Sequence, residues 1–229
     1  MTQLTLGLRL RDDATFDNFY VEENEQLLQC LKTAVMGLSQ EFIYLWGNPR
    51  VGKSHLLQAC CHHATQQGLT AAYIPLSTLS DADIPILDEL EHLNLICIDD
   101  LDAIKASRTW QEALMFLYNR AREEGAIILF SAQKPPSELA ISLLDLNSRL
   151  AWGLIFQLHP LSDYGKVRAI QMRAQARGFL LSTEVGLYLL RRCSRDIGEL
   201  FLILEKLDQA SLSAQRKLTI PFVKLVLRL

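Results

Sequence analysis

Gly47-Asn48-Pro49-Arg50-Val51-Gly52-Lys53-Ser54 has the spacing G-x-x-x-x-G-K-S, and its flanks decide what that spacing means. Phe42-Ile43-Tyr44-Leu45-Trp46, just before it, is an apolar run of buried-strand length, and His55-Leu56-Leu57-Gln58-Ala59, just after it, opens a helix. Strand, glycine-bearing turn, lysine, hydroxyl and helix therefore stand in the order of a phosphate-binding loop. The glycines let successive N–H groups point inward, and the helix N-terminus adds partial positive charge. Lys53 can neutralise the outer phosphates, and Ser54 can ligate Mg²⁺. The candidate nucleotide contacts are the loop residues Gly47 to Ser54 together with His55, and the ligand class is a nucleotide's phosphates.

Downstream of the loop the chain alternates short apolar runs with helical patterns. The loop helix runs to about Gln67, with Gly68 as its stop, and Ala71 to Pro75 reads as a second strand. Leu79 to Leu93 reads as irregular with one or two helical turns. Leu95-Ile96-Cys97-Ile98-Asp99-Asp100 is a strand that ends in two carboxylates. In a nucleoside-triphosphate site, Asp99 would hold Mg²⁺ through water and Asp100 could orient or deprotonate the attacking water. An amphipathic helix from about Thr109 to Glu124 follows, with Trp110, Ala113, Leu114, Leu117, Tyr118 and Ala121 on its core face. Ala126 to Phe130 is expected as a strand that ends at Ser131-Ala132-Gln133. Pro135-Pro136 breaks the chain, a helical stretch runs towards Leu150, and the last strand covers about Leu154 to Leu158. Some five apolar runs in alternation with helices imply an α/β fold, a five-stranded parallel sheet covered on both faces.

After His159-Pro160-Leu161 the strands stop. Helices are expected from Ser162-Asp163 to Arg177, from Ser182 to about Arg192, from about Asp196 to Ser213 and from Thr219 to Leu229, a small all-helical domain. Charge divides at the same place. Residues 1–159 hold 11 Lys and Arg against 20 Asp and Glu, a net of −9, whereas residues 160–229 hold 12 against 6, a net of +6. Such a split suits two domains with different surroundings, and the basic one could face phosphate or an acidic partner as readily as solvent.

Apolar residues make up 49% of the chain, which excludes a disordered protein. No run is long enough to span a membrane and the N-terminus carries no signal-like apolar core, so a cytoplasmic protein is expected. Cys30, Cys60, Cys61, Cys97 and Cys193 lack metal-ligand spacing and suit a reducing compartment. At the N-terminus, Gln3-Leu4-Thr5-Leu6-Gly7-Leu8 alternates apolar and other residues, a pattern that fits an edge strand or an extended docking peptide. Ala14-Thr15-Phe16-Asp17-Asn18-Phe19-Tyr20-Val21 then leads into a helix from about Asn24 to Leu38 with Leu27, Leu28, Leu31, Ala34, Val35 and Leu38 on one face.

Together, Thr15-Phe16-Asp17-Asn18-Phe19, the phosphate loop with His55-Leu56-Leu57, Ile98-Asp99-Asp100, Asn147-Ser148-Arg149-Leu150 and the helical end resemble the AAA+ module of the DnaA family over nearly the whole chain. Within it the chain is similar to the DnaA-related regulators that lack the initiator's DNA-binding domain. The resemblance implies an extended clamp-binding peptide over 1–13, an AAA+ base over 14–160 and a lid over 161–229. It puts Gln3, Leu4, Thr5, Leu6 and Leu8 in the groove of the DNA polymerase sliding clamp, with Gly7 where the family often has proline. Phe19, Tyr20 and Val21 would lie near the adenine. Arg149 takes the arginine-finger position, from which it would reach a neighbouring subunit's nucleotide.

Two departures stand out against the family pattern. Ala132 replaces the acidic sensor after the fourth strand, which leaves Ser131 as the polar candidate, and Gly198 stands at the lid's sensor arginine, with Arg195 one turn earlier. The resemblance then implies a regulator with weak or no ATPase of its own, which holds ADP or ATP with Mg²⁺ and meets DNA through the clamp. It would stimulate ATP hydrolysis in DnaA as an inhibitor of initiation, near the nucleoid. A homodimer or homo-oligomer is left open, as are two other readings: an autonomous helicase-loader-type ATPase that binds single-stranded DNA, and a nucleotide-independent clamp adaptor.

Overall fold

The computed structural model describes residues 10–37 and 42–229. The clamp-peptide residues Gln3, Leu4, Thr5, Leu6 and Leu8 lie outside them. The described chain forms two compact units: one holds residues up to Phe19 and Asn24–His159, the other Tyr20–Glu23 and Pro160–Leu229.

In the first unit, α1 (Glu25–Val35) precedes β1 (Ile43–Trp46), and the phosphate loop connects β1 to α2 (Lys53–Gln66). β2 (Ala71–Pro75), three 3₁₀ turns, β3 (Leu95–Asp99), α3 (Arg108–Glu124), β4 (Ile127–Ala132), α4 (Leu144–Leu150) and β5 (Leu154–Gln157) follow. The five strands are all parallel, in the order β2-β3-β4-β1-β5. Both faces of the three central strands β3, β4 and β1 are buried, and the period-two rule sorts the side chains. Ile43, Leu45, Cys97, Leu129 and Ile127 pack on Leu27, Leu31, Leu56, Leu57 and Cys60 of α1 and α2. Tyr44, Ile96, Ile98, Ile128 and Phe130 pack on Trp110, Leu114, Leu117, Leu146 and Leu150 of α3 and α4.

Two boundaries differ from the sequence expectation. β4 continues through Ser131 and Ala132, because both pair with β1, Ser131 opposite Leu45 and Ala132 opposite Trp46. The helix that carries Arg149 starts only at Leu144: Pro136–Glu138 closes a single 3₁₀ turn and Ala140 has φ of 36°, which breaks the helix before it.

The second unit is α-helical. α5 (Asp163–Ala176), α6 (Thr183–Arg192), α7 (Ile197–Ala214) and α8 (Ile220–Leu227) enclose a core of Val167, Ile170, Leu189, Leu200, Leu204 and Val223. Each helix starts on a side-chain cap: Ser162, Ser182, Asp196 and Thr219 accept from the N–H three residues on. Glu22 accepts from the Ser162 N–H at 2.9 Å, which ties the short segment Tyr20–Glu23 to this unit. No described helix is long and apolar enough to cross a membrane.

Candidate functional site

At the C-terminal end of β1 the chain enters the phosphate loop. Gly47 is buried, its N–H bonds to the Ala132 carbonyl at 3.2 Å, and a Cβ there would lie 2.7 Å from the Leu158 carbonyl oxygen. The loop is thus pressed between the ends of β4 and β5. Asn48, Pro49 and Arg50 are exposed, and Gly52 has φ of 111°, a conformation that a side chain would strain. α2 begins at Lys53 with no side-chain cap, so the N–H groups of its first turn stay open to an anion. Phe19 packs over Gly52: a Cβ on Gly52 would be 3.0 Å from its ring. Phe19 also stacks against His55 with ring centroids 5.7 Å apart. His55 Nε2 bonds to the Thr15 carbonyl at 2.9 Å. Tyr20 and Val21, half-buried, belong to the second unit.

Lys53 is 6% exposed, and its ammonium donates to the carbonyls of Gly47 at 2.8 Å and Asn48 at 3.0 Å. Burial pulls its pKa down, while the charges of Asp100, Asp99 and Asp102 oppose that shift. The acids at and after the end of β3 therefore favour the charged form of Lys53.

Asp99 closes β3 and is 1% exposed. One carboxylate oxygen accepts the Tyr73 hydroxyl of β2 at 2.6 Å, and the other accepts the Ser131 hydroxyl of β4 and the Asp100 N–H at 3.1 Å. Ser131, the polar candidate near the sensor position, thus bonds directly to Asp99, whereas Ala132 beside it is fully buried. Asp100 has φ of 59°, its N–H is shared with Ser131 Oγ at 3.1 Å, and its carboxylate accepts Ser77 Oγ at 2.7 Å. The Tyr73 hydroxyl is pushed well above its ordinary pKa by burial, then by the charge of Asp99 and the bond to it. Tyr73, Ser77 and Ser131 therefore fix the two carboxylates. Of these only Ser131 was legible as a site residue. Tyr73 carried no sequence signal of its own: it comes beside Asp99 through the pairing of β2 with β3, in which Pro75 lies opposite Asp99.

Arg149 lies in the last turn of α4, half-buried. Among the described residues no carboxylate comes within 4.0 Å of its guanidinium. Instead Cζ sits 5.0 Å from the Trp152 ring centroid and 6.0 Å from that of Tyr118. The salt bridge that would make it a structural arginine is missing from this set. α4 itself is tied to α3 through Gln111, which is fully buried. Its Oε1 accepts Ser142 Oγ at 2.8 Å and the Leu143 N–H at 3.0 Å, and its amide donates to the carbonyls of Ile104 and Lys105.

In the second unit, Arg195 donates to Asp163 at 2.9 Å, so its charge already has a partner. A Cβ on Gly198 would meet only Asp196 Oδ1, at 3.2 Å. No group of three or more His, Cys, Asp or Glu among the described residues could hold a metal. A hydroxyl and a carboxylate, Ser54 and Asp99, are oxygen donors of the kind that Mg²⁺ takes alongside nucleotide phosphate.

Comparison with known proteins gives a family and a fold. Residues 10–157 match the family model described as the bacterial DnaA ATPase domain, and residues 163–227 match the one described as Hda, lid domain. Domain III of the Thermotoga maritima replication initiation protein DnaA superposes with a TM-score of 0.83 at 20% identity, over 96% of this chain and 98% of that one. AMPPCP-bound DnaA from Aquifex aeolicus gives 0.75 at 21% identity, over 90% and 69%. The Holliday junction branch migration motor RuvB of Thermotoga maritima gives 0.71 at 17% identity, over 94% and 71%. At these identities the likeness is one of fold.

Proposed function

Because the chain belongs to the bacterial DnaA ATPase domain family, we propose that it regulates replication initiation by lending Arg149 to the ATP site of DnaA. The observation that carries this reading is the state of Arg149: a guanidinium on a helix end, held by aromatic rings and by no carboxylate among the described residues. A charge kept unneutralised at a surface is what a finger needs, because it stabilises negative charge that develops on a transferring phosphoryl group. Fingers of this kind raise hydrolysis by about 10³–10⁵.

The chain's own nucleotide plays a supporting part. Gly47, Asn48, Pro49, Arg50, Val51, Gly52, Lys53, Ser54 and His55 hold the phosphates, with Phe19 over the loop and Tyr20 and Val21 near the adenine. Ser54 would ligate Mg²⁺ and Asp99 would hold it through water, and the ion would supply neutralisation of phosphate charge. With Ala132 and Gly198 at the sensor positions, the site keeps ADP or ATP as a structural ligand and turns it over weakly. Asp100, fixed by Ser77, remains as the group that could orient water. Gln3, Leu4, Thr5, Leu6 and Leu8 dock on the DNA-loaded sliding clamp, which raises the local concentration of the finger and makes inactivation conditional on ongoing replication.

The test is ATP hydrolysis by purified DnaA with clamp loaded on DNA, with and without this protein. Stimulation that disappears both with Arg149→Ala and on deletion of residues 1–8 is expected. ATP turnover by this protein alone, with no effect on DnaA, would instead favour the autonomous ATPase.

A further inference from the structure

Trp152 is an expensive residue where it stands. The residue is 68% exposed, between the end of α4 and the half-buried strand β5. Its backbone, by contrast, is tightly held. The Trp152 N–H bonds to the Arg149 carbonyl at 3.1 Å, and Ala151 closes the same turn on Asn147 and Ser148 at 3.2 Å. The next residue, Gly153, runs so close to the Phe42 carbonyl that a Cβ there would collide with it, and the Leu154 N–H bonds that carbonyl at 2.8 Å. The indole is therefore presented from a rigid corner between α4 and β5.

Two cations use this ring. Arg149 Cζ lies 5.0 Å from its centroid and Arg122 Cζ lies 5.9 Å from it. Tyr118, 2% exposed, flanks Arg149 from α3 at 6.0 Å. We propose that Trp152 is the positioning residue of the finger: it holds the Arg149 guanidinium in place while leaving its charge intact. This inference rests on the finger reading above. The physical reason for an aromatic ring is specific. A carboxylate would fix the guanidinium as well, but it would offset the charge that has to act on phosphate; the ring quadrupole attracts the cation without neutralising it. Exposure of the indole follows from the same requirement, since a guanidinium that must reach another subunit needs its holder at the surface.

The test combines chemistry with a spectroscopic signature. Single-turnover hydrolysis of DnaA-bound ATP, with clamp on DNA, is measured against the concentration of this protein for the wild type, Trp152→Phe, Trp152→Leu, Arg149→Ala and the double variant Arg149→Ala/Trp152→Leu. Expected are a roughly 2- to 30-fold fall in the maximal rate for Trp152→Leu, from the usual strength of such contacts, a half-saturating concentration close to wild type, substantial rescue by Phe, and no further loss when Trp152→Leu is added to Arg149→Ala. In the isolated protein, the Arg149 side-chain NMR signals should carry a ring-current shift that Trp152→Leu removes, with nucleotide binding and helical content unchanged. Independent, multiplying losses, or a change confined to the half-saturating concentration, would overturn the inference, as would the lack of any ring-current shift. If Arg149→Ala itself has no effect while the ring-current shift is present, the finger reading fails, and the role assigned to Trp152 fails with it.

Discussion

Replacing Tyr73 by phenylalanine removes one oxygen and tests how the acidic end of β3 is held. The lost hydroxyl donates at 2.6 Å to Asp99, a carboxylate 1% exposed, and no water-facing side remains from which that oxygen could recover a donor cheaply. A hydrogen bond to a charged group contributes about 1.5–3 kcal/mol, and burial argues for the upper half of that range. With a urea dependence of about 3 kcal/mol per molar, the midpoint of the first unit should fall by roughly 0.75–1 M. Tryptophan fluorescence reads that unit selectively, because Trp46, Trp110 and Trp152 all belong to it. Ser131→Ala removes the donor on the other carboxylate oxygen, and the two substitutions should couple by more than about 0.5 kcal/mol, since they share one acceptor. A midpoint shift below roughly 0.2 M for Tyr73→Phe, within the scatter of such extrapolations, or strict additivity with Ser131→Ala, would refute the description of Asp99 as a carboxylate fixed from both sides.

Other outcomes follow from the same coordinates. The Tyr44 and Tyr73 hydroxyls are both raised above the ordinary phenol value, Tyr44 by burial and then by Asp102, Tyr73 by burial and then by Asp99. A raised folded-state pKa means that the folded protein keeps a proton which the unfolded chain releases, so stability is intact below about pH 10 and falls above it. For Tyr44, 1% exposed, the fall approaches about 1.4 kcal/mol per pH unit, and Tyr44→Phe should flatten an alkaline denaturation curve. Gly47→Ala drives a methyl onto the Leu158 carbonyl; a loss of about 1–3 kcal/mol is expected, with weakened ADP binding by calorimetry. Gln111→Leu leaves the groups that position the start of α4 without partners, and a loss of about 3 kcal/mol is expected, with the finger's activity falling alongside thermal stability.

The parts of the site that were legible in the sequence are those that local chain geometry sets. The phosphate loop is one continuous stretch, and Asp99 is marked by the apolar run that precedes it. The caps Ser162, Ser182, Asp196 and Thr219 announce themselves by their place before helical patterns. What was not legible depends on which strands become neighbours. Tyr73 and Ser131 reach Asp99 only because β2, β3 and β4 lie side by side, and no periodicity within one strand encodes that order. The same holds for Gln111, whose polarity on a core face makes sense only once the Ser142–Leu143 backbone arrives beside it. β4 was read two residues too short because serine and alanine end an apolar run, although their backbone still pairs with β1. Trp152 carried no motif at all; its meaning comes from the turn that folds it back on Arg149.

The most direct measurement of the central claim is the rate at which ATP already bound to DnaA is hydrolysed in a single turnover, with this protein saturating and the clamp loaded on DNA. Wild type and Arg149→Ala are compared, with binding to DnaA checked separately. The account predicts that Arg149→Ala still binds DnaA but loses most of the acceleration, about 10³-fold or more if the finger is fully engaged. An Arg149→Ala protein that accelerates hydrolysis as well as wild type would contradict it.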